Sequence, residues 1–251
     1  MEAVLVQLDI TWENKSANFA RVRELLAANA PSPGSLVVLP EMFATGFSCD
    51  VKATRQSDPP EGDEFLSSLA REFDCCVIGG VITVGSDGYA RNEAVVFGPD
   101  GMLKRFAKIH PFRHEQEVHT PGSEVATFSW AGFEIAPLVC YDLRFPESFR
   151  AAARMGASLM VVIANWPVAR IDHWVTLLRA RAIENQAYVI GVNRCGRDPE
   201  LVYTGRSLVV DPHGAVLVDA EDGEKVVSAW LDPVVVSKWR EDFPALRDAR
   251  W

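Results

Sequence analysis

Cys140 is the residue whose type and position most clearly indicate chemistry in this sequence. It ends the mostly apolar run 133–139, which predicts a buried strand, and Pro146 then suits the first turn of a helix. A thiol at the end of a buried strand, next to a turn with free backbone N–H groups, is well placed to act as a nucleophile. The same segment is equally consistent with a core cysteine that packs as a small apolar residue. Other residues must therefore decide between the two interpretations.

Two other segments also contain residues that could take part in catalysis. The apolar run LVVLP stops at Glu41, and Lys108 lies just before a proline turn in the segment KIHP. A glutamate or a lysine at a strand end is usually solvated, so neither position is informative alone. Together, Glu41, Lys108 and Cys140 resemble, in identity and order, the catalytic triad of the carbon–nitrogen hydrolase (nitrilase-like) superfamily.

The resemblance extends over nearly the whole chain. It rests on segments similar to the superfamily's first strand, its three catalytic segments and its later substrate-side loop and helix: VLVQLDITW from residue 4, LPEMFATGFS from 39, KIHPF from 108, LVCYDLRFPE from 138, ANWPVAR from 164 and HWVTLLRARAIENQAYVIGVNRCG from 173. The segments ANWP and ARAIENQAY, with DFPALRDA near the end, are most similar to the bacterial omega-amidase branch. That branch cleaves the terminal amide of small dicarboxylic acid monoamides such as 2-oxoglutaramate.

The resemblance implies both the fold and the reaction. The implied fold is an α/β, four-layer α-β-β-α sandwich of two facing sheets. In the implied reaction Cys140 attacks the amide and forms a thioester, and Glu41 serves first as general base and then as general acid. The Lys108 ammonium and the backbone N–H of Tyr141 bind the oxyanion. This chemistry requires no metal, no other cofactor and no histidine.

The superfamily carries a second glutamate after the lysine, which helps to hold the lysine and the substrate. Relatives read roughly GEDKHYTPG there, and this chain reads HEQEVHTPG over residues 114–122. Counting back from the Thr-Pro-Gly sequence selects Glu115, whereas counting forward from Lys108 selects Glu117. We favour Glu115, because the Thr-Pro-Gly anchor is local, and Glu117 remains the alternative.

A small amide with a distal carboxylate requires a cation at the far end of its pocket. Arg170, Arg144 and Arg194 are the candidates. Arg170 follows a predicted strand whose end should lie beside the end of the nucleophile strand. Arg144 has neighbouring carboxylates in Asp142 and Glu147, and we expect it to form an ion pair with one of them or with another carboxylate. The sequence therefore favours Arg170 as the carboxylate anchor.

Aromatic residues in the same segments are candidates for the walls of the pocket. Phe43 follows the general-base position, Trp166 lies in the substrate-side loop, and Tyr141 follows the nucleophile. Ordinary packing is the alternative role for Trp166. True nitrilases of the superfamily typically carry Trp-Glu after the cysteine, so Tyr141 and Asp142 favour an amide over a nitrile as the substrate.

The histidines near the lysine segment permit a metal-hydrolase alternative. His110, His114 and His119, with Glu115 and Glu117 between them, resemble a zinc or iron site when taken alone. Their spacing, however, does not place two histidines on one helical face as the HExxH motif does. The triad interpretation, which needs no metal, uses more of the sequence.

Three further alternatives remain open. His110 or His173 could serve as the base for Cys140. A catalytically silent interaction module that kept the fold is the non-enzymatic alternative, although all three triad positions hold competent residues. Within the fold, the triad does not distinguish an omega-amidase from an N-carbamoyl amino acid hydrolase, a deaminated-glutathione amide hydrolase or an acyltransferase to an amine.

The composition limits the class of partner and the compartment. The net charge of −9 and the pI near 5.1 argue against nucleic acid, because phosphate binding requires clustered Lys and Arg. The sequence predicts neither a signal peptide nor a membrane span. The five cysteines follow neither a disulfide pattern nor a zinc-ribbon pattern. We therefore predict a protein of the bacterial cytoplasm whose partner is a small amide substrate.

Strand and helix patterns alternate along the chain without a linker, a repeat or a low-complexity tract. They predict one domain over residues 1–251, with helices outside the sheet. The segment 236–251 carries Trp239, Phe243, Leu246 and Trp251 among charges, and the resemblance implies that this tail docks on the partner subunit of a homodimer. The predicted helices are 17–28, 63–73, 146–155 and 173–186, and the predicted strands are 3–8, 36–39, 76–84, 92–97, 133–139, 158–163, 188–192, 207–210, 216–219 and 226–231.

Overall fold

Two six-stranded sheets form the centre of the molecule. The computed structural model describes residues 1–250. The strands are β1 (Glu2–Gln7), β2 (Leu36–Val38), β3 (Cys76–Val84), β4 (Ala90–Gly98), β5 (Gly101–Ala107), β6 (Phe128–Trp130), β7 (Phe133–Val139), β8 (Leu159–Ala164), β9 (Tyr188–Asn193), β10 (Cys195–Arg197), β11 (Val202–Thr204), β12 (Leu208–Val210), β13 (Val216–Asp219) and β14 (Lys225–Trp230). The helices are α1 (Lys15–Ala28), α2 (Val51–Thr54), α3 (Glu61–Glu72), α4 (Glu115–Val118), α5 (Pro146–Arg154), α6 (Ile171–Asn185) and α7 (Pro233–Asp242).

Each sheet has a parallel centre and antiparallel edges. The first sheet has the order β14-β1-β2-β3-β4-β5, in which β1, β2 and β3 are parallel. The second sheet has the order β13-β12-β9-β8-β7-β6, in which β7, β8 and β9 are parallel. The carboxyl ends of parallel strands lie at the same edge of a sheet, and binding sites form there. The topology thus places the residues that follow β7 and β8 next to each other at one edge of the second sheet.

Alternate residues of the central strands face opposite layers. In β1, Ala3 and Leu5 pack in the core that the two sheets share. Val4 and Val6 pack instead with apolar residues of α1 and α3. Strands that are buried on both faces require a covering layer on each side, and α5 and α6 supply it for the second sheet. This arrangement confirms the four-layer α-β-β-α sandwich.

Local sequence determines where the main helices begin and end. The side chain of Asn14 accepts a hydrogen bond from the Ala17 backbone N–H (3.1 Å) and caps α1. Pro146 occupies the first turn of α5, where its missing N–H costs nothing. α6 ends at Gln186, whose φ of +46° is left-handed. No helix within residues 1–250 combines the length and the apolar content needed to span a membrane.

The sequence patterns missed several short or exposed elements. β5 was missed because most of its residues are exposed or half-buried, so it has no alternating apolar pattern. β6, β10 and β11 have only three residues each, which is too short for a periodic signal. The predicted bounds of α1, α3, α5 and α6 lie within two residues of the observed ones.

The C-terminal segment begins as a helix that packs on its own chain. Val236 in α7 is buried and belongs to the apolar cluster that includes residues of both sheets and of α5 and α6. Arg240 donates a hydrogen bond to the backbone oxygen of Gln186 (3.0 Å). Phe243, just after the helix, is 55% exposed. Docking of this segment on a partner subunit stays a prediction, and Trp251 lies outside the described residues.

Candidate active site

Cys140 begins a tight turn at the carboxyl end of β7. It is the first residue of a 3₁₀ turn, and its φ of +48° is unusual for a residue with a Cβ. Asp142 holds the turn, because its carboxylate accepts hydrogen bonds from the backbone N–H groups of Val139 (3.1 Å) and His110 (3.0 Å). Such backbone strain is typical of functional positions. The turn therefore fixes the buried thiol at the edge of the second sheet.

Glu41 follows β2 and enters the site from the first sheet. Its Oε1 accepts hydrogen bonds from Lys108 Nζ (2.9 Å) and Asn92 Nδ2 (2.7 Å). Its Oε2 accepts a hydrogen bond from the backbone N–H of Asn165 (2.9 Å). The backbone oxygen of the same asparagine lies 4.0 Å from the Sγ of Cys140. Asn165, at the end of β8, thus links the glutamate of one sheet to the cysteine of the other.

Lys108 is buried between two carboxylates. Its Nζ lies 2.9 Å from Oε1 of Glu41 and 2.7 Å from Oε2 of Glu115. Glu115 is fully buried and also accepts a hydrogen bond from the backbone N–H of Phe112 (2.8 Å). The side chain of Glu117 is 75% exposed. The structure therefore brings Glu115, and not Glu117, to the lysine.

Burial and mutual contact set the charges of this cluster. Burial opposes the charge of Lys108, but Glu115 and Glu41 outweigh it and raise the pKa of Lys108 well above its usual value. Burial opposes the charge of Glu115 too, yet Lys108 and the hydrogen bonds lower the pKa of Glu115 to about 2. Burial, and then Glu41, raise the thiol pKa of Cys140 well above its usual value. At neutral pH the site thus holds an ammonium, a carboxylate at Glu115 and a neutral thiol.

Gly80 allows the Glu41 loop to lie directly on β3. A Cβ at position 80 would lie 2.6 Å from the Cα of Glu41 and 2.5 Å from the backbone N of Met42. The Gly80 N–H donates a hydrogen bond to the backbone oxygen of Pro40 (3.1 Å). Glycine in the interior of a strand often marks such a close approach of another backbone. This glycine therefore sets the distance between the strand and the glutamate.

A pocket on the surface contains Cys140 in its lining. Four of the five predicted substrate-binding residues also line it, namely Tyr141, Arg144, Trp166 and Arg170. The wall is largely aromatic, and among residues 1–250 its charged side chains are the two arginines. The remaining lining residues are Phe47, Phe112, Asn165, Pro167, Leu201 and Tyr203.

Phe43 does not reach this pocket. It is fully buried and packs against Phe19 and Phe65, with ring centroids 5.8 and 5.9 Å apart from its own. Phe47, farther along the same loop, lines the pocket instead. The left-handed φ of Met42 (+46°) interrupts the extended backbone, so the loop does not continue the alternation of β2. The predicted wall position of Phe43 is thereby corrected to Phe47.

Arg144 does not form the ion pair that its sequence neighbours suggest. Within residues 1–250 its guanidinium has no carboxylate partner; it lies 4.8 Å from the ring centroid of Trp166 and 3.3 Å from Nδ1 of His173. Asp142 is instead occupied by backbone N–H groups, and Glu147 lies on the exposed start of α5. This finding removes the reason for preferring another arginine as the anchor.

The two other arginine candidates differ in position. Arg170 lies 5.6 Å from the ring centroid of Phe112, lines the pocket and has no carboxylate partner among the described residues. Arg194 is fully buried outside the pocket lining, and its guanidinium donates to the backbone oxygens of Cys195 (2.9 Å) and Ile10 (3.0 Å). Arg194 is therefore a structural residue, and Arg144 and Arg170 remain as possible anchors.

The three histidines of the metal alternative do not converge. His110 lies 2.8 Å from Asp142, His119 lies 3.3 Å from Glu115, and the side chain of His114 is 82% exposed. No group of three or more His, Cys, Asp or Glu residues in positions 1–250 is arranged to hold a metal ion. The donor set therefore does not fit a zinc or iron centre.

Neither histidine considered as a base hydrogen-bonds the thiol. The ring of His110 stacks on Phe145, with centroids 3.7 Å apart, and its Nδ1 faces a carboxylate. His173 contacts Arg144. The hydrogen bond of the Cys140 thiol goes to a backbone oxygen. Glu41 is thus better placed than either histidine to exchange a proton with this cysteine.

Three asparagines around the site were not singled out from the sequence. The Nδ2 of Asn92 donates hydrogen bonds to both carboxylates that flank Lys108, at 2.7 Å to Glu41 and 2.8 Å to Glu115. Asn165 follows β8 directly, and Asn193 is the last residue of β9. The side chain of Asn193 accepts a hydrogen bond from the backbone N–H of Trp166 (2.7 Å) and donates one to its backbone oxygen (2.9 Å). The signal that could have found the last two is their strand-end position, which is the same signal that identified the triad.

Comparison with known proteins places the chain in a family. A sequence model of the carbon-nitrogen hydrolase family matches residues 3–241. The chain belongs to this family. It is 37% identical to omega-amidase YafV of Yersinia enterocolitica, with 99% of this chain and 96% of that protein covered. It is 31% identical to the 2-oxoglutaramate amidase of Bacillus subtilis, with 98% and 96% covered.

Solved structures show the same fold. A carbon–nitrogen hydrolase superfamily protein from Xanthomonas campestris, with an arsenic adduct in its active site, superposes with a TM-score of 0.93 at 33% identity and covers 100% of this chain and 97% of its own. Nit3 of Saccharomyces cerevisiae, a member of the nitrilase superfamily, gives 0.87 at 30% identity, with 97% and 94% covered. The resemblance inferred from the sequence is thereby confirmed, and the chain is a carbon–nitrogen hydrolase.

Proposed function

We propose that this carbon–nitrogen hydrolase is an omega-amidase, which hydrolyses the terminal amide of a small dicarboxylic acid monoamide and releases ammonia. The pocket carries the proposal, because it combines the Cys140 thiol with two guanidiniums, Arg144 and Arg170, that have no carboxylate partner in residues 1–250. An arginine fork binds a carboxylate at two points and would fix the far end of such a substrate. Relatives named omega-amidase and 2-oxoglutaramate amidase support the same substrate class.

The first half of the proposed reaction forms a thioester. Glu41 accepts the thiol proton of Cys140 as the sulfur attacks the amide carbon. A base is needed because burial, and then Glu41 itself, keep the thiol pKa high in the absence of substrate. Glu41 then passes this proton to the amide nitrogen, the carbon–nitrogen bond breaks, and ammonia leaves. The acyl group remains on the sulfur.

Lys108 stabilises the negative oxygen that forms during the attack. Contact with Glu115 and Glu41 keeps its side chain an ammonium despite complete burial. The backbone N–H of Tyr141, the residue after the nucleophile, is the second donor in this proposal. Preorganised donors of this kind each contribute about 3 kcal/mol to the stability of a transition state.

The second half of the reaction returns the free enzyme. Glu41 accepts a proton from a water molecule as the water oxygen attacks the thioester carbon. The carbon–sulfur bond then breaks, the carboxylic acid product leaves, and the proton on Glu41 returns to the sulfur of Cys140. One glutamate thus handles every proton transfer, which agrees with the finding that neither His110 nor His173 hydrogen-bonds the thiol.

Ammonia release from a panel of amides tests the proposed function. The panel contains 2-oxoglutaramate, succinamate, glutaramate, an N-carbamoyl amino acid and a nitrile, and we expect the three carboxylate-bearing monoamides to react fastest. Glu41→Gln and Lys108→Met should each reduce turnover by at least about a hundredfold, whereas Lys104→Met on β5 should not. A wild type that prefers the N-carbamoyl compound, or that hydrolyses the uncharged amide valeramide as fast as glutaramate, overturns the omega-amidase assignment.

We also propose that the protein is a cytoplasmic homodimer. Trp230 at the end of β14 and Val234 in α7 are 70% and 61% exposed and offer apolar surface to a second copy. The five cysteines are free, which suits a reducing compartment. Light scattering at micromolar concentration should give a mass above the 27.7 kDa of one chain. A clean monomer contradicts the dimer.

A further inference from the structure

His119 is a buried titratable residue that the proposed reaction does not use. It directly follows α4 and is 3% exposed. Its Nδ1 lies 3.3 Å from Oε1 of Glu115, and its Nε2 has no hydrogen-bond partner within residues 1–250. A buried polar ring with one atom in contact with the site and the other left unpaired requires an explanation.

The contact completes the surroundings of the Glu115 carboxylate. Oε2 accepts from Lys108 Nζ (2.7 Å) and from the backbone N–H of Phe112 (2.8 Å). Oε1 accepts from Asn92 Nδ2 (2.8 Å), which leaves its remaining lone pair facing the ring of His119. A buried carboxylate keeps its charge when each oxygen has its full set of donors. His119 therefore occupies the fourth donor position.

Backbone contacts fix the position of the His119 backbone beside this carboxylate. The backbone N–H of His119 donates to the backbone oxygen of Glu115 (2.8 Å), and the N–H of Thr120 donates to that of Ala90 (2.8 Å). Ala90 begins β4, the strand that also carries Asn92. The two side chains that reach Oε1 thus come from backbone segments joined to the same strand, which keeps the Cα of His119 near Glu115.

The chemistry of the contact selects one form of the ring. An ionised carboxylate oxygen only accepts hydrogen bonds, so Nδ1 of His119 must carry the proton. The contact therefore requires a ring whose Nδ1 carries a proton.

We propose that His119 is a positioning residue, which donates its Nδ1–H to Glu115 and so holds Glu115 against Lys108. It acts through Glu115 on the direction of the Lys108 ammonium, and through that ammonium on the oxyanion. This inference rests on the proposed amide hydrolysis for its kinetic consequence. The contact itself is a property of the resting protein.

Three substitutions distinguish the effect of losing the hydrogen bond from the effect of changing the side-chain volume. His119→Asn keeps a donor near the position of Nδ1. His119→Gln carries its amide near the position of Nε2, where the ring has no partner, and His119→Phe fills the volume without a donor. We expect kcat for glutaramate to fall about tenfold in the Phe and Gln variants, with KM within about twofold, and to stay within about threefold of wild type in the Asn variant.

A spectroscopic measurement tests the contact without any substrate. In ¹⁵N-histidine-labelled protein, the resonances lost in His119→Asn identify the ring, and we expect its Nδ1 to carry a proton. An unprotonated Nδ1, a wild-type kcat in His119→Phe, or equal rescue by Gln and Asn overturns the inference. Failure of the wild type to hydrolyse any amide of the panel overturns the proposed function instead, and the protonation of Nδ1 then still decides the contact.

Discussion

Asn165 donates three hydrogen bonds to Glu41. Its backbone N–H reaches Oε2 (2.9 Å), and its Nδ2 reaches Oε2 (3.2 Å) and the backbone oxygen of Glu41 (2.7 Å). Asn165 follows a strand of the second sheet, whereas Glu41 follows a strand of the first. The proposed base is therefore held in place by the sheet that carries the nucleophile, and the site depends on how the two sheets face each other.

Asn165→Ala removes the two side-chain hydrogen bonds of this contact. We expect kcat to fall between about tenfold and a hundredfold with little change in KM, because a loosened Glu41 disturbs proton transfer more than substrate binding. Steady-state ammonia release measures both constants. Asn185→Ala, which alters a buried asparagine in α6 away from the pocket, should lower the melting temperature and leave kcat unchanged. A wild-type kcat in Asn165→Ala would show that the contact is only structural.

Gly80→Ala should disable the site through the backbone. The added Cβ would lie 2.6 Å from the Cα of Glu41, so the loop must move away from β3. We expect a loss of turnover of at least about tenfold in a protein that still folds, since small displacements of catalytic groups are costly. Gly98→Ala on β4 is the control, because its Cβ would meet only side chains of Leu103 and Trp130. Equal activity of the two variants would contradict this role for Gly80.

The pH dependence of stability tests whether Glu115 or Glu117 is the auxiliary glutamate. The pKa of Glu115 is lowered from 4.5 to about 2, so the unfolded chain binds its proton at higher pH than the folded protein does. The resulting stabilisation is complete above the unfolded pKa and is lost as pH falls from about 4.5 towards 2. Between roughly pH 5 and pH 3, the free energy of unfolding measured with urea should therefore fall more steeply in wild type than in Glu115→Gln. Glu117→Gln should follow wild type, and the opposite order would select Glu117.

The proposed anchor for the substrate carboxylate is Arg144 or Arg170. Alanine replacement of the anchor should raise KM for glutaramate much more than it lowers kcat, because the lost contact exists in the ground state and the transition state alike. Its effect on valeramide, an uncharged amide of the same chain length, should be small. Arg144→Ala and Arg170→Ala are compared with Arg113→Ala, which alters an exposed arginine outside the pocket lining. If neither pocket variant reduces the preference for glutaramate, the carboxylate is bound elsewhere.

The sequence was sufficient to predict the positions where strands end in reactive groups. Glu41 and Cys140 each follow an apolar run. Lys108 follows β5, which the apolar pattern missed, and was recognised instead from its place in the KIHP segment. The topology then brings the three strand ends together. Asn92 and Asn165 were missed because their bonding partners are far away in the chain, and an asparagine near a strand end usually has a local role. The missing information was which distant sequence positions lie close together in the folded protein.

Two side-chain predictions failed for local reasons. Phe43 was expected on the pocket wall, but the left-handed backbone at Met42 turns it into the core. Arg144 was expected to pair with Asp142, Glu147 or another carboxylate, but Asp142 accepts hydrogen bonds from the backbone N–H groups of Val139 and His110, and Glu147 lies on the exposed start of α5. Both errors come from backbone geometry that periodicity does not report.

Acid quenching during turnover, followed by intact-mass and peptide mass spectrometry, tests the central claim most directly. The account predicts an adduct with the mass of the substrate minus ammonia, located on Cys140. Cys140→Ala should fold normally, form no adduct and release no ammonia, whereas Cys49→Ala should behave as wild type. An adduct on another residue, or an active Cys140→Ala enzyme, would contradict the account.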